Sequence, residues 1–479
     1  MKSYEKYISK TNTEEIHEST LRILSDVGIL FENDEAIEIF RKHGAKTDGY
    51  KVFISESLVN KALESAPSKF MLRLNENEQV QMGNGAMLCS PIGQPAYICS
   101  DGAIRRMTPQ DAVNQFKMSE ACTITNMAGG NVAMLNGLKM TEEQRVFAML
   151  AIALKYSGKY QASSGAVVTG IEAKKAYQYT LDSIDLSMRF RNIDSGAAML
   201  TIINSLSPLT YDSVPIEKMM AYARKGQAVV PSPCAMPLLT GPASVAGIMS
   251  MTNAEIIAGT VFAQLCSPGA PVIYGNTSAA TDMSKIQLSI GSPESALMCY
   301  ATAALADYYN LPFRTGGGLS DAKQIDAQAG AETMMMLYAT YDTSPDYVLH
   351  NAGCMGMFNV MSLEKFVIDE EIARMVQRML EGVNCDDECL LFDEIKNVGP
   401  RGTFLHGRTP AIFRKEFIQA KIFNKDDPNN WQNQGSVSVE AYAKEDAERR
   451  INEYVPPEIT EEQHKLIKDY LPEEYKDSI

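Results

Sequence analysis

The chain has 479 residues and is acidic, with 44 Lys and Arg against 59 Asp and Glu and a formal net charge of −15. This balance argues against nucleic acid or an anionic membrane surface as a partner. Hydrophobic residues at 45% and charged residues at 22% are typical of a globular protein with a sizeable core.

The N-terminal part of the chain predicts helices followed by hairpins. Residues 14–46 have the apolar spacing of two helices, and residues 52–66 begin with a capping Ser and end at Pro67 as a third. Gly-rich turns between short apolar runs then favour β-hairpins up to residue 106. This N-terminal stretch has no apolar segment typical of a secretion signal, and the nine Cys are scattered. We therefore expect a cytoplasmic protein with reduced thiols.

From residue 107 to 395, helical segments alternate with short β-rich runs. Seven such runs can be recognised, among them "YQASSGAVV", "QAVVPSPCAMPLL", "APVIYGNTS", "LPFRTGGG" and "DYVLHNAGC". Strand–helix alternation over this length predicts an α/β fold with parallel strands, and seven strands favour a (β/α)8 TIM barrel whose eighth strand we do not place. Residues 1–106 would form an N-terminal region of helices and hairpins. Residues 396–479 would form a C-terminal helical extension packed on the barrel.

The apolar runs end in small or polar residues, which predicts a site at the carboxyl ends of the strands. His350 and Asn351 follow the last of these runs. A satisfied core histidine is the ordinary alternative for His350.

The stretch "FRTGGGLSDAK" raises two further possibilities. Gly316, Gly317 and Gly318 could cradle a phosphate, but the pattern matches neither the P-loop nor GxGxxG, and acidic residues follow it. Lys323 could form an imine if burial lowered its pKa, although it lies between Asp321 and Asp326. The alternative is a solvated or paired lysine.

Four aromatic residues near predicted strand ends or loops could hold a cation on their ring faces. They are Tyr97, Tyr274, Phe313 and Phe358, and Glu255 could add a carboxylate at a helix start. Ordinary core packing is the alternative for each aromatic residue, and favourable interaction with the helix dipole is the alternative for Glu255.

Three segments resemble the trimethylamine methyltransferase superfamily. They are "TGPASVAGIMSMTNAEIIAGTVFAQLCSPGAPVIYGNTS", "GSPESALMCYATAALADYYNLPFRTGGGLSDAKQIDAQAGAE" and "LHNAGCMGM", and the similarity extends from about residue 93 to residue 454. Founding members carry pyrrolysine in the barrel. This sequence has none, so it resembles the branch without pyrrolysine, whose known substrates include glycine betaine, proline betaine, carnitine and γ-butyrobetaine.

The resemblance implies a (β/α)8 barrel that moves a methyl group from a quaternary amine to the Co(I) corrinoid of a separate carrier protein by SN2 attack. No general acid or base, no metal site and no permanently bound cofactor is expected on this chain, and we expect a homo-oligomer. His350 and Asn351 would bind the betaine carboxylate or orient the substrate, the four aromatic residues would form cage walls, and Glu255 and Asp321 would supply negative potential. Gly316, Gly317 and Gly318 would face the corrinoid at the mouth, and His406 in "FLHGRT" has no assigned role. The alternatives are a barrel lyase or aldolase using Lys323 and a non-catalytic betaine-binding protein.

Overall fold

The computed structural model describes residues 2–161, 165–405 and 409–479. The N-terminal region contains three helices and several short strands, and Ser9 and Asn33 cap the first two helices through their side-chain oxygens. In chain order the elements are α1 (Lys10–Arg22), β1 (Ile29–Phe31), α2 (Asp34–Lys42), β2 (Lys46–Asp48), β3 (Lys51–Phe53), α3 (Glu56–Ser65), β4 (Phe70–Arg73), β5 (Gln79–Met82), β6 (Leu88–Cys89), β7 (Tyr97–Ser100) and β8 (Ala103–Arg106). The pairs β4–β5 and β7–β8 are antiparallel, as expected of hairpins.

The central region alternates strands with helices. Its elements are α4 (Pro109–Ala121), α5 (Glu142–Tyr156), α6 (Ala173–Phe190), β9 (Leu200–Ile203), β10 (Thr210–Tyr211), α7 (Ser213–Arg224), β11 (Ala228–Pro231), α8 (Val245–Cys266), β12 (Tyr274–Gly275), β13 (Ala280–Asp282), β14 (Gln287–Ser289), α9 (Pro293–Tyr309), β15 (Phe313–Arg314), α10 (Ala327–Thr343), β16 (Tyr347–Val348), β17 (Cys354–Met355), β18 (Val360–Met361) and α11 (Leu363–Glu381).

Strand contacts join eight segments side by side, an arrangement consistent with the predicted (β/α)8 barrel. On one side, β9 pairs with β11, Val229 of β11 bridges to Val272, and β12, β15, β16 and β6 follow in that order. On the other side, Cys89 accepts the N–H of Met127, which bridges in parallel to Tyr160. The seam between Tyr160 and β9 adjoins residues 162–164, which lie outside the described residues.

The eighth strand is β6, in the stretch that the sequence predicted to be hairpins. Leu88 and Cys89 pair with Tyr347 and Val348 of β16, so the barrel begins before residue 107, the predicted boundary. A strand of two residues between glycine turns has no readable periodicity, which is why the sequence did not reveal it.

Helix α8 is apolar on all sides because both of its faces are covered. It lies between the barrel strand β11 and the N-terminal helices α1 and α3. By length and composition alone it could cross a membrane, but 83% of its apolar 18-residue stretch is buried inside the fold. We conclude that α8 is a core helix.

After α11 the chain continues in short helices on the outside of the barrel. They are α12 (Asp387–Leu390), α13 (Phe392–Val398), α14 (Ala411–Glu416), α15 (Pro428–Asn433), α16 (Val439–Asn452) and α17 (Glu461–Ile467). Arg450 of α16 pairs with Glu370 of α11 at 2.7 Å, and buried Tyr475 donates to the carbonyl oxygen of Met134 at 2.6 Å. His406 lies outside the described residues.

Candidate functional site

A cavity of about 550 Å³ lies at the carboxyl ends of the barrel strands. Seven of the eight segments contribute to its wall through residues at or just beyond their ends: Ser90, Ala128, Asn204, Cys234, Thr277, Arg314 and His350. Thr169 adds a residue from the chain that follows Tyr160. This is the end of the barrel at which (β/α)8 enzymes place their active sites.

Arg314 is the charged group at the centre of this wall, and its side chain is only 1% exposed. Nη1 donates to Ser232 Oγ at 3.2 Å, to the carbonyl oxygen of Asn276 at 3.0 Å and to Thr277 Oγ1. Nε and Nη2 have no hydrogen-bond partner among the described residues. Burial lowers the pKa of Arg314, yet a guanidinium stays protonated in proteins. A buried cation with two unused donor atoms is a receptor for a carboxylate.

His350 lies beside Arg314 and is neutral. Burial, with a smaller effect of the Arg314 charge, lowers its pKa to about 3. Nδ1 accepts the backbone N–H of Gly93 at 3.1 Å, so in the neutral ring the proton is assigned to Nε2. The histidine therefore offers the cavity an N–H donor and no charge.

Phe358 packs on His350 and completes this side of the wall. The two ring centroids are 4.5 Å apart with an angle of 34° between the planes. Phe358 follows β17, in a small sheet in which β18 pairs with β17 and with β7. Both residues have left-handed backbones, with φ of 63° for His350 and 68° for Phe358. Such conformations are unfavourable for a bulky residue and concentrate at functional sites.

Lys218 of α7 also lines the cavity. Burial lowers its pKa to about 8. No described residue forms a hydrogen bond or an ion pair with its ammonium group, and no described residue of the cavity wall is an Asp or Glu. The cavity is therefore cationic, the opposite of the negative potential that the sequence suggested.

Tyr274, Phe313 and Tyr97 do not line this cavity. Tyr274 donates to Asn253 Oδ1 at 2.8 Å and is fully buried between β12 and α8. Phe313 packs into the core outside the barrel, because successive side chains of β15 point to opposite faces and Arg314 takes the inner one. Tyr97 lies in the outer sheet, with Cζ of Arg106 5.4 Å from its ring centroid.

Glu255 and Asn351 form hydrogen bonds within the protein and do not line the cavity. The Glu255 carboxylate accepts from Ser207 Oγ at 2.8 Å and from the Leu209 N–H at 2.7 Å, and burial raises its pKa. It thereby fixes the loop that follows β9. Asn351 Nδ2 donates to the carbonyl oxygen of Ile124 at 2.7 Å.

Asp321 binds a loop of its own chain. Its carboxylate accepts from Ser289 Oγ at 2.9 Å and from the N–H groups of Ile290 and Gly291, both at 3.0 Å. Lys323 is exposed, and its ammonium donates to the carbonyl oxygen of Asp321 at 2.6 Å. The imine-forming role considered for Lys323 therefore has no geometric support at this cavity.

The three glycines are required by close internal packing and not by an open mouth. A Cβ on Gly317, whose φ is 133°, would lie 2.5 Å from the carbonyl oxygen of Leu349. A Cβ on Gly318 would lie 2.8 Å from that of Asn351, and one on Gly316 would collide with Thr340. The chain after β15 thus passes against the chain after β16, where no side chain fits.

Arg314 and Lys218 are the cavity residues that the sequence reasoning missed. The available signal for Arg314 was a charged residue inside an apolar strand, in "LPFRTGGG", where burial demands a partner. Lys218 lies in a helix whose sequence has no feature that marks it as part of a site.

The sequence model of the trimethylamine methyltransferase (MTTB) family matches residues 2–477. The chain belongs to this family. It is 36% identical to the proline betaine:corrinoid methyltransferase of Eubacterium limosum, over 99% of this chain and 98% of that protein. It is 37% identical to the glycine betaine methyltransferase of Desulfitobacterium hafniense (strain Y51), over 95% and 94% of the two chains.

A third relative from this family is the L-carnitine:corrinoid methyltransferase of Eubacterium limosum, at 33% identity over 98% of each chain. Among solved structures, the Methanosarcina barkeri monomethylamine methyltransferase (MtmB) aligns with a TM-score of 0.45 and 9% identity over 95% of each chain. The family resemblance seen in the sequence motifs is confirmed.

Proposed function

We propose that this protein transfers a methyl group from a carboxylate-bearing quaternary amine, a betaine, to the Co(I) corrinoid of a separate carrier protein. The observation that carries the proposal is the buried Arg314, whose Nε and Nη2 have no partner in the described part of the chain, in a cavity at the carboxyl end of the barrel. The relatives named for proline betaine, glycine betaine and carnitine support the same substrate class.

In this proposal the substrate carboxylate binds Arg314, and the Nε2–H of His350 adds a donor beside it. A planar guanidinium matches a carboxylate through two parallel hydrogen bonds. A quaternary amine without a carboxylate would meet only cations and neutral groups on the described wall, so the cavity selects zwitterions.

The apolar part of the wall suits the methylated nitrogen. Ile92, Val132, Met149 and Leu349 line the cavity together with the ring of Phe358. These groups exclude water and hold the nitrogen so that one methyl group can face the cavity opening.

Bound at that opening, a Co(I) corrinoid supplies a strong nucleophile for the methyl carbon. The C–N bond breaks with its electron pair left on nitrogen, so the product is a neutral tertiary amine and no residue of this chain has to move a proton. The residues of this chain bind the carboxylate, orient the nitrogen and keep water out. This division of work agrees with a wall that holds a neutral histidine and no carboxylic acid among its described residues.

We also propose that the corrinoid is presented by the carrier rather than held permanently, that the protein is cytoplasmic and that it forms a homo-oligomer. Nine free cysteines are compatible with a reducing compartment. The competing function is a betaine-binding protein without turnover.

The test measures methyl transfer from a panel of betaines to cob(I)alamin. The reaction is monitored as the loss of Co(I) absorbance. Glycine betaine, proline betaine, carnitine and γ-butyrobetaine form the panel, with choline and tetramethylammonium as controls that lack the carboxylate. We expect turnover with at least one betaine and with neither control. Betaine binding in calorimetry without any turnover would instead indicate the binding protein.

A further inference from the structure

Lys218 is a cation of the cavity that a single betaine carboxylate does not explain. It reaches the wall from α7, the helix after β9, and the same wall includes the neutral residues Thr169, Ile202 and Asn204. Its ammonium carries three donors and forms no hydrogen bond or ion pair with any described residue.

Lys218 and Arg314 form two separate poles of the cavity. The strands β11 and β12 lie between β9, which precedes Lys218, and β15, which carries Arg314. The pKa of His350 responds to Arg314 but not to Lys218, and only burial lowers the pKa of Lys218, to about 8. The charge of Arg314 therefore does not perturb Lys218.

A cavity of about 550 Å³ is also roomy for the smallest betaines. A short betaine whose carboxylate binds Arg314 leaves the ammonium of Lys218 without a partner. Lys218 is half-buried and lines the cavity, and its ammonium has no acceptor among the described residues, so a substrate that supplies an oxygen at this pole would gain a charge-assisted hydrogen bond and bind more tightly.

We propose that Lys218 is a specificity-determining residue that binds a second oxygen substituent of the betaine, a hydroxyl or a further carboxylate, away from the carboxylate held by Arg314. The preferred substrate is then an extended betaine with an additional oxygen acceptor. This inference rests on the proposed function, because it assigns Arg314 to the carboxylate.

The test compares carnitine with γ-butyrobetaine, which differ by one hydroxyl group. Wild-type protein and Lys218→Met are assayed with both compounds for kcat/KM with cob(I)alamin and for Kd by calorimetry. The matched control is Lys225→Met, which removes the same charge from an exposed lysine of the same region that pairs with Asp185 at 2.8 Å on the surface.

A hydrogen bond to a charged group corresponds to about tenfold to a hundredfold in binding. We expect Lys218→Met to weaken the binding of carnitine by that factor and the binding of γ-butyrobetaine by less than about twofold. Lys225→Met should change the binding of neither compound. Equal losses for both compounds, no loss for either, or no carnitine binding by the wild type would overturn the inference.

Two further arms keep the outcomes distinct. Lys218→Gln, which retains polarity, is used if Lys218→Met does not fold. If no compound methylates cob(I)alamin but carnitine still binds in a Lys218-dependent way, the proposed function fails while the subsite stands.

Discussion

Replacing Arg314 by Met removes the proposed carboxylate receptor while keeping an unbranched side chain in the barrel. Nε and Nη2 are the atoms left for the ligand, because Nη1 is already used by Ser232, Asn276 and Thr277. Removing one partner of a buried, hydrogen-bonded charge pair costs about 3–5 kcal/mol. At about 1.4 kcal/mol per factor of ten, betaine kcat/KM should fall by two to three and a half orders of magnitude.

The assay measures kcat/KM with cob(I)alamin for glycine betaine, and by calorimetry the Kd of glycine betaine and of choline, which carries a hydroxyl group in place of the carboxylate. The substitution should remove most of the preference for the betaine, because choline never used the guanidinium. Arg314→Lys should recover only part of the loss, since an ammonium does not reproduce the planar fork.

Stability has to be followed in parallel because Nη1 also holds three strand ends. Ser232→Ala removes one of these internal contacts, 3.2 Å from Nη1, and leaves Nε and Nη2 untouched. It should cost about 1 kcal/mol in the free energy of unfolding and preserve the betaine preference. If Arg314→Met left the ratio of betaine to choline affinity unchanged, the assignment of the carboxylate to Arg314 would be refuted.

Three other substitutions test the roles assigned away from the substrate. Asp321→Asn turns an amide toward backbone N–H donors, so it should cost about 1–3 kcal/mol in urea unfolding while the betaine KM stays within about twofold; a tenfold rise in KM would return Asp321 to the site. Gly317→Ala places a Cβ 2.5 Å from the carbonyl oxygen of Leu349 and should destabilise the protein by about 3 kcal/mol; a loss below about 1 kcal/mol would contradict this packing. Burial lowers the pKa of Lys218 to about 8, below its value in the unfolded chain. Between pH 8 and about 10 the unfolded chain therefore binds more protons than the folded protein. In that window this group makes the free energy of unfolding rise with pH. Lys218→Met should remove that rise and increase the free energy of unfolding by about 1–2 kcal/mol at pH 7. An unchanged pH dependence of urea unfolding would argue against a desolvated ammonium at this position.

The barrel could be predicted from the sequence because it depends on a long-range rhythm of strands and helices. The exception was β6, whose two residues lie between glycine turns and gain their strand character only from pairing with β16. Pairing between residues 88 and 347 is a tertiary property that no local pattern encodes.

The site was predictable where position along a strand decides exposure. His350 lies just beyond the end of β16, after Leu349, and the rule about carboxyl ends was enough to predict its place at the cavity. Phe313 and Arg314 show the limit of that rule, since a two-residue strand does not reveal which side chain points inward.

Acidic residues misled the sequence reasoning for a related reason. Glu255 and Asp321 looked available for a cation, but each is used by N–H and hydroxyl donors of a loop. Such loop partners lie 30 to 50 residues away in the chain and become visible only in the folded structure.

The central claim is that the Arg314 cavity presents a betaine methyl group to a Co(I) corrinoid. The most direct measurement is the methylation of cob(I)alamin by the wild-type protein with the betaine panel, monitored as loss of Co(I) absorbance under anaerobic conditions. The account predicts turnover with at least one carboxylate-bearing quaternary amine and none with choline or tetramethylammonium. Turnover with the carboxylate-free amines, or with no compound of the panel, would contradict it.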